Sequence, residues 1–240
     1  MPTDAGLSSL ICLDGIQFSW PGQVPVIDTA LLEIAPGEHC FIQGPSGSGK
    51  STLLNLVAGV LMPQSGAIRV LEQDLCTLGT ARRDRFRADH IGYIFQQFNL
   101  IPYLSIIENV MLPCRFSPLR RERARQRSGS VKDEARYLLS HLYEASNIEL
   151  ERSVTRLSVG QQQRVAAARA LMGQPELLIA DEPTSSLDID NRHAFMDLLF
   201  SEAQQAGTTL LFVSHDPAFK NRFDRHIDML SLAPGKRSAA

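Results

Sequence analysis

Glycine, serine, lysine and threonine are spaced in GPSGSGKST, residues 44–52, in a way that suits phosphate binding. Glycines let the backbone approach phosphate oxygens where a Cβ would clash, and successive N–H groups then form a concave anion site. Lys50 adds a charge for the β- and γ-phosphates, and the Ser51 hydroxyl can complete a Mg²⁺ shell. The stretch follows an apolar run and opens the helical pattern KSTLLNLVAG, so it has the context of a P-loop, the Walker A motif. We expect a nucleoside triphosphate to contact Gly44, Pro45, Ser46, Gly47, Ser48, Gly49, Lys50, Ser51 and Thr52.

In LLIADEPTSSLD, residues 177–188, an apolar run of four residues is followed at once by two adjacent carboxylates, Asp181 and Glu182. Neighbouring acids beside a metal usually take different roles, one as ligand and one as base. We expect Asp181 to hold Mg²⁺ directly or through water, and Glu182 to position and deprotonate the attacking water rather than to be a solvated turn residue. His215 ends the next predicted strand, where it could contact the γ-phosphate, although a lone histidine is more often structural.

A second polar turn begins a helix in RLSVGQQQRVAAARAL, residues 156–171. Free backbone N–H groups and the helix dipole both favour an anion at such a turn. The chain therefore carries two phosphate-binding helix starts more than a hundred residues apart. The residues alone do not say what the second one binds.

Short apolar runs alternate with amphipathic helical patterns, which predicts an α/β fold with a largely parallel sheet. Each predicted strand ends where a polar cluster begins, as expected if the site lies at the carboxyl ends of the strands. The predicted strands are HCFIQ (39–43), IGYIFQ (91–96), LLIAD (177–181) and TLLFVSH (209–215). Between about 98 and 160 strand signals disappear, and VKDEARYLLSHLYEAS (131–146) predicts an amphipathic helix, so we expect a helical lobe inserted in the core.

Composition excludes several classes of function. The net charge of −2 gives no global field for nucleic acid, and the cationic run RRERARQRSGS (120–130) is better explained as a solvated helix end or loop. No apolar run approaches the roughly 20 residues of a membrane span, so a membrane step would need another subunit. The four cysteines lie singly, which indicates small core residues in a reducing compartment rather than a metal site: Cys12, Cys40, Cys76 and Cys114.

The motifs together resemble those of the ATP-binding subunit of ABC transporters, over nearly the whole chain. The most specific one is LSVGQQQ (157–163), which is similar to the family signature LSGGQ. The resemblance implies a P-loop NTPase fold with a RecA-like core, an antiparallel β subdomain and an inserted helical subdomain. It implies one domain at 8–235, with the core at about 8–97 and 161–232, the helical subdomain at about 98–160, and a tail at 233–240. The implied activity is ATP hydrolysis with Mg²⁺ in a cytoplasmic subunit, held on the inner face of the membrane by a permease.

The same resemblance implies a head-to-tail homodimer that closes on two ATP molecules. The signature of one subunit would bind the γ-phosphate of the partner's ATP through Ser158, Gly160 and Gln161. Gln96 matches the glutamine that touches Mg²⁺ or the lytic water, with Gln97 as the alternative. Asp188 matches an aspartate that crosses the dimer seam, and it could also be the N-cap of the following helix.

Trp20 stands where the family commonly has a tyrosine stacked on adenine, although as the only tryptophan it could instead be a core residue. Val159 departs from the signature, because glycine is expected there. If that position required a positive φ, valine would cost about 1–3 kcal/mol. We therefore expect a negative φ at Val159, a stricter requirement at Gly160, and retained activity.

FQQFNLIPYLSIIENVMLP (95–113) looks most like the branch that serves lipoprotein release and macrolide export. Side chains that would grip the permease, or else form the core of the helical lobe, are Leu100, Ile101, Tyr103 and Leu104. Two alternatives remain at this stage. One is a non-transport ABC ATPase, which would usually carry two cassettes or a long coiled coil. The other is a regulatory cassette that binds ATP without hydrolysing it.

Overall fold

Strands and helices alternate along the chain in the computed structural model, which describes residues 9–142, 149–185 and 187–233. The strands are β1 (Ile11–Ser19), β2 (Pro25–Ile34), β3 (His39–Gln43), β4 (Ser65–Val70), β5 (Gln73–Asp74), β6 (Ile91–Ile94), β7 (Leu177–Asp181), β8 (Thr209–Val213) and β9 (Arg225–Asp228). The helices are α1 (Lys50–Val57), α2 (Thr80–His90), α3 (Ile106–Met111), α4 (Pro113–Phe116), α5 (Pro118–Ser128), α6 (Val131–Leu142), α7 (Val159–Leu171) and α8 (Ile189–Ala206). Contacts divide the chain into a first unit, up to Asp84 and from Leu211 onward, and a second unit, Arg85–Leu210.

The predicted secondary structure is largely confirmed. Strands β3 and β7 have the predicted bounds, whereas β6 ends at Ile94 and β8 at Val213, each two residues before the predicted end. The predicted helix at 131–146 is α6 as far as Leu142, and residues 143–146 lie outside the described part of the chain. No helix in the described ranges is both long and apolar enough to cross a membrane.

The first unit contains an antiparallel sheet with the strand order β2-β1-β4-β5. Buried residues alternate along β1 at Ile11 and Leu13, and then at Ile16 and Phe18. The alternation changes phase because the pairing with β4 is irregular after Asp14, and an extra residue in a strand moves the following side chains to the opposite face. The implied antiparallel subdomain is therefore present.

The first unit also contains the parallel pair β3–β9, in which Cys40 faces Arg225. Three aromatic rings form the core beside this pair. The Phe41 ring lies 5.2 Å from Phe223 and 6.3 Å from Phe212, and Phe212 lies 5.3 Å from Phe223, centroid to centroid. This packing fixes the carboxyl end of β3, from which the P-loop continues.

The second unit pairs β6 with β7 in parallel, with Gly92 opposite Leu178. Helix α7 packs on β6 and against α3 and α6. Its small side chains allow close packing, since Ala166, Ala167 and Ala168 are completely buried. The lobe predicted after residue 98 is helical, with α3 to α6 between Ile106 and Leu142. The fold is thus α/β, as the sequence predicts.

Two ion clusters, one partly buried around Glu176 and one buried around Glu134, brace the second unit. The Glu176 carboxylate accepts hydrogen bonds from Arg123 Nη2 at 2.5 Å and from His90 Nδ1 at 3.1 Å. Arg127 Nη1 donates to the fully buried Glu134 at 3.1 Å, and its Nη2 lies 3.4 Å from Glu202. Buried carboxylates need such partners, because an unpaired charge in the core costs several kcal/mol, of order 3–5.

Candidate functional site

The P-loop holds a left-handed turn that only glycine adopts without strain. Gly49 is the N-cap of α1 with φ 93°, and Gly47 has φ 78°. A Cβ on Gly49 would lie 2.5 Å from Val26 Cγ1, so space as well as conformation requires glycine here. Within the described part of the chain, no side chain caps α1. An uncapped helix start behind a glycine turn is a site where backbone N–H groups can bind an anion.

Lys50 and Ser48 carry polar atoms that this turn confines. Lys50 is 8% exposed, and its Nζ donates to the Gly44 and Pro45 carbonyls at 2.9 and 3.0 Å. Ser48 Oγ is buried and has no hydrogen-bond partner among the described residues. A buried hydroxyl without a partner costs about 1–3 kcal/mol, so an additional group at this turn would stabilise it. A phosphate oxygen fits both requirements, because it can accept from Ser48 and from Lys50.

His215 and the start of the P-loop line one cavity in the first unit, with a volume of about 240 Å³. His215 itself is exposed and follows β8 by two residues. The cavity is lined by Phe41, Gln43, Gly44, Pro45, Ser214, His215, Pro217, Asp228 and Leu230. The fold therefore brings His215 to the same cavity as Gly44 and Pro45, although they lie about 170 residues apart in sequence.

Trp20 lies in the turn after β1 and is 41% exposed, so it is not a core residue. Its ring meets Phe18 edge to face, with a centroid distance of 5.3 Å and an interplanar angle of 89°. An edge contact fixes the orientation of the indole and leaves a ring face for a planar ligand. The alternative of a buried structural tryptophan is wrong.

Asp181 and Glu182 lie at the carboxyl end of β7 in the second unit, both partly buried. Glu182 has φ 48°, a left-handed conformation that is uncommon for a residue with a side chain. Such strain costs about 1–3 kcal/mol and concentrates at functional sites. Burial, reinforced by the Asp181 carboxylate, raises the pKa of Tyr93 above its ordinary value. Tyr93 therefore remains a neutral hydroxyl beside Asp181.

The glutamines predicted to follow β6 are exposed, Gln96 and Gln97 alike, so exposure does not choose between them. The next two residues, Phe98 and Asn99, both have left-handed φ, 59° and 49°. Their carbonyls converge on Arg169 of α7, whose Nη2 donates to Phe98 at 2.5 Å and whose Nη1 donates to Asn99 at 2.6 Å.

The signature turn forms a capping box at the start of α7. Ser158 Oγ accepts from the Gln161 N–H at 3.3 Å, and Gln161 Oε1 accepts from the Ser158 N–H at 3.0 Å. The box occupies the Gln161 backbone N–H, which leaves the Ser158 hydroxyl proton and the Gly160 N–H as donors for an anion, and a phosphate-binding role of Gln161 stays a prediction. Val159 begins the helix without a positive φ, which confirms that expectation. A Cβ on Gly160 would lie 3.2 Å from Leu187 Cδ2, so Gly160 is the more restricted position.

Asp188 is the N-cap of α8. Its Oδ1 accepts from the Asn191 N–H at 3.0 Å and its Oδ2 from the Asn191 side chain at 2.7 Å. The hydrogen bond from the Asn191 backbone, together with the one from its side chain, lowers the pKa of Asp188. The alternative role stated from the sequence is therefore present, and a role at a dimer seam stays a prediction.

Sequence reasoning missed the Arg169 contact, because nothing in the letters ARAL indicates that an arginine will bind loop carbonyls. It also missed Asn109, which is fully buried and holds the loop around Tyr103. Asn109 Oδ1 accepts from the Ile101 N–H at 2.8 Å, and its amide donates to the carbonyls of Ile101 at 3.1 Å and Ser105 at 3.0 Å. Tyr103 is 84% exposed, whereas Leu104 is half-buried. The pattern S-x-x-E at 105–108 could have predicted the capping box that begins α3 beside this loop.

Comparisons with known proteins agree with these motifs. The family model described as ABC transporter matches residues 27–185. The lipoprotein-releasing system ATP-binding protein LolD of Saccharophagus degradans is 34% identical over 205 residues, which are 85% of this chain and 86% of LolD. The macrolide export ATP-binding/permease protein MacB of Chromobacterium violaceum is 39% identical over 220 residues, which are 90% of this chain and 33% of MacB. A dimeric structure of the ATP-binding cassette MJ0796, in a post-hydrolysis state bound to ADP and Pi, matches with a TM-score of 0.78 and 32% identity, covering 95% of this chain and 97% of that one.

Proposed function

Because the chain belongs to the ABC transporter ATP-binding family, we propose that it binds MgATP between two copies of itself and drives a separate membrane permease. Family membership makes the chain an ATPase of the transporter class. The P-loop supports the rest most directly, since an uncapped helix, a confined lysine and a buried serine hydroxyl with no partner among the described residues meet at one turn. The individual residue roles below are part of the proposal.

In this proposal the phosphates of ATP bind the backbone of residues 44–52. Lys50 Nζ exchanges the Gly44 and Pro45 carbonyls for the β- and γ-phosphates, which are stronger acceptors because they are charged. Ser48 gains the hydrogen-bond partner that it lacks among the described residues. The Trp20 ring face stacks on adenine.

The candidate metal ligands fit Mg²⁺, because all of them are oxygen donors and none is a thiol or imidazole. Mg²⁺ typically keeps several waters and binds one or two carboxylates plus substrate phosphates. Ser51, Asp181 and Gln96 would supply the protein oxygens. The ion would neutralise charge on the β- and γ-phosphates.

Glu182 is the base in this proposal. Its carboxylate holds the attacking water and accepts its proton, while His215 donates a hydrogen bond to a γ-phosphate oxygen. A positioned base contributes about 10²–10⁴ in rate. The left-handed φ of Glu182 supports this role, because strained backbone concentrates where a side chain must point in one direction.

The second phosphate-binding turn completes the site of the partner subunit. Ser158 and Gly160 of one subunit bind the γ-phosphate of ATP held by the other, and Asp188 lies at the seam. The γ-phosphate then contacts both halves and favours the closed dimer, and its loss on hydrolysis removes that preference. Two-fold symmetry makes both sites alike.

The permease would be the membrane partner, and it would hold this chain on the inner face of the membrane. The name of MacB supports this arrangement, because it describes an ATP-binding protein and a permease in one chain, of which this chain matches about a third. Tyr103 is the contact that we propose. Asn109 already holds the loop of Tyr103 by hydrogen bonds. A partner can therefore bury the exposed ring without the entropy cost of ordering that loop on binding.

Phosphate release from MgATP tests the catalytic part of the proposal. Lys50→Ala should lower kcat/KM at least ~100-fold, because the phosphates lose their cation. Lys132→Ala is the matched control, since Lys132 is an exposed lysine paired with Glu151. Equal activity of the two variants would contradict the assigned role of Lys50.

Coexpression with the permease of the same transporter tests the docking part. Tyr103→Ser should release the cassette from the detergent-extracted complex, while ATP turnover by the free cassette changes less than about twofold. Phe116→Ser is the control, because it removes another exposed aromatic residue, which is 65% exposed. A complex that survives Tyr103→Ser would place the permease contact elsewhere.

A further inference from the structure

Helix α7 carries two features that lie about three turns apart. Its N-terminus is the signature turn with Ser158 as N-cap, and Arg169 lies eleven residues further along. At 1.5 Å per residue the two are separated by about 16 Å along the axis. A helix packed on several neighbours moves as a rigid rod, so a displacement of one end reaches the other.

The side chain of Arg169 holds a loop by hydrogen bonds to main-chain carbonyl oxygens of that loop. The residue is 8% exposed, and burial lowers the pKa of its guanidinium to about 10. It donates one hydrogen bond to each of two consecutive carbonyls, those of Phe98 and Asn99. Both carbonyls lie within hydrogen-bond reach of one guanidinium, and both residues have left-handed φ. The planar fork of arginine suits this paired contact, whereas the single ammonium of lysine does not.

The loop held by Arg169 is the one that carries Gln96. The Phe98 N–H donates to the Phe95 carbonyl at 3.0 Å, and the Asn99 N–H to the Gln97 carbonyl at 2.6 Å. These bonds make residues 95–99 a compact turn. Gln96 is exposed within this turn, and the Phe98 and Asn99 backbone beside it is held by the buried guanidinium of Arg169.

We propose that Arg169 is a positioning residue that ties the Gln96 loop to the signature helix, so that phosphate bound at the start of α7 and the position of Gln96 depend on each other. The inference rests on the proposed function, in which Gln96 contacts Mg²⁺ or the lytic water and Ser158 contacts the partner's ATP. Arg169 touches neither ligand; it acts through the loop.

Arg120 of α5 offers a matched control. It too is a buried arginine, 3% exposed, whose pKa burial lowers to about 10. Its Nη2 donates to a single carbonyl, that of Ala170, at 2.6 Å. Arg120→Lys should therefore cost stability as Arg169→Lys does, without releasing a loop that carries a candidate site residue.

The experiment compares Arg169→Lys with Arg120→Lys in the full chain. Hydrogen exchange of the Phe98 and Asn99 amides, measured without nucleotide, should accelerate at least ~10-fold in Arg169→Lys only. With MgATP, kcat should fall at least ~10-fold in Arg169→Lys with KM changed less than about twofold, because the proposed contacts to the phosphates and adenine, residues 44–52 and Trp20, are unaltered. Arg120→Lys should keep kcat within about twofold of the unaltered chain.

Equal exchange in the two variants would overturn the proposal, and so would faster exchange with an unchanged kcat. Failure of the proposed function is seen separately, as absent phosphate release by the unaltered chain. If Arg169→Lys does not fold, Asn99→Val replaces it, since a β-branched residue resists the left-handed φ and withdraws the carbonyl from Arg169. Glu72→Val introduces the same strain in the β4–β5 turn, where φ is 63°, and should leave kcat intact.

Discussion

At the scale of single residues, the P-loop combines an uncapped helix with polar side chains that have few alternatives. Lys50 is confined by two carbonyls of its own loop, and Ser48 Oγ lacks a partner among the described residues. Each would gain a charge-assisted hydrogen bond from a phosphate, which is worth about 1.5–3 kcal/mol. The sequence predicts the position of this loop, but the hydrogen bonds of Lys50 depend on how the loop folds back over its side chain.

Trp20 gives a prediction at this scale. Trp20→Ala should weaken ATP binding about 3- to 10-fold, since an aromatic pair contributes about 0.5–1.5 kcal/mol. The rate at saturating ATP should hardly change, because the indole would contact adenine and not the phosphates. Nucleotide titration and steady-state phosphate release measure the two quantities. A large fall in the saturated rate would contradict the stacking role.

The signature residues show what a sequence can and cannot tell at this scale. Valine at 159 predicts an ordinary backbone, because a β-branched residue avoids positive φ, and the helix that begins there confirms it. The steric limit at Gly160 depends on Leu187, which lies 27 residues away in the chain. The left-handed φ of Phe98 and Glu182 could not be predicted, since neither residue type favours that region, whereas asparagine, as at position 99, adopts it more readily.

At the scale of elements, hydrophobic runs predict the strands well and their ends less well. β3 and β7 end where the apolar run ends, whereas β6 stops before Phe95 although that residue is apolar. Phe95 is 38% exposed, and its ring stacks on that of Tyr93 with a centroid distance of 4.2 Å. Its side chain therefore lies at the surface, beyond the end of the strand. Where a strand ends depends on which strands pair with it, and the apolar pattern of a single sequence does not show that pairing.

The cluster around Glu176 gives a prediction at the element scale. Burial alone would raise the pKa of Glu176, but hydrogen bonds from His90 and Arg123 outweigh burial and lower it to about 2. A carboxyl with a depressed folded pKa stabilises the fold above its unfolded pKa, near 4.5, and loses that contribution as the pH falls toward 2. Glu176→Gln should therefore flatten the loss of unfolding free energy between pH 5 and about 2, by an amount of order 3 kcal/mol.

Urea unfolding at several pH values measures this effect. Glu151→Gln is the control, because Glu151 is 68% exposed and its pair with Lys132 lies at the surface. Surface pairs contribute about 0–1 kcal/mol, so the pH profile of this variant should match that of the unaltered chain. Parallel profiles for Glu176→Gln and the unaltered chain would contradict the role of the cluster.

At the scale of the whole molecule, the candidate residues divide between the two units. Trp20, residues 44–52 and His215 belong to the first unit. The second unit contains the β7 carboxylates, the Gln96 loop and the signature turn. The sequence order of these motifs was enough to predict the family. The central claim of the proposed function is that these motifs act jointly on one nucleotide, with the signature turn supplied by a second copy of the chain. This arrangement requires a dimer.

Light scattering of Glu182→Gln, with and without MgATP, tests that claim most directly. Loss of the base should block hydrolysis and trap the ATP-bound state, so the mass should double from the 26.5 kDa monomer when MgATP is added. ADP should not cause this change, and Lys50→Ala in the same background should abolish it. A particle that stays monomeric while ATP demonstrably binds would contradict a site shared between two copies of this chain.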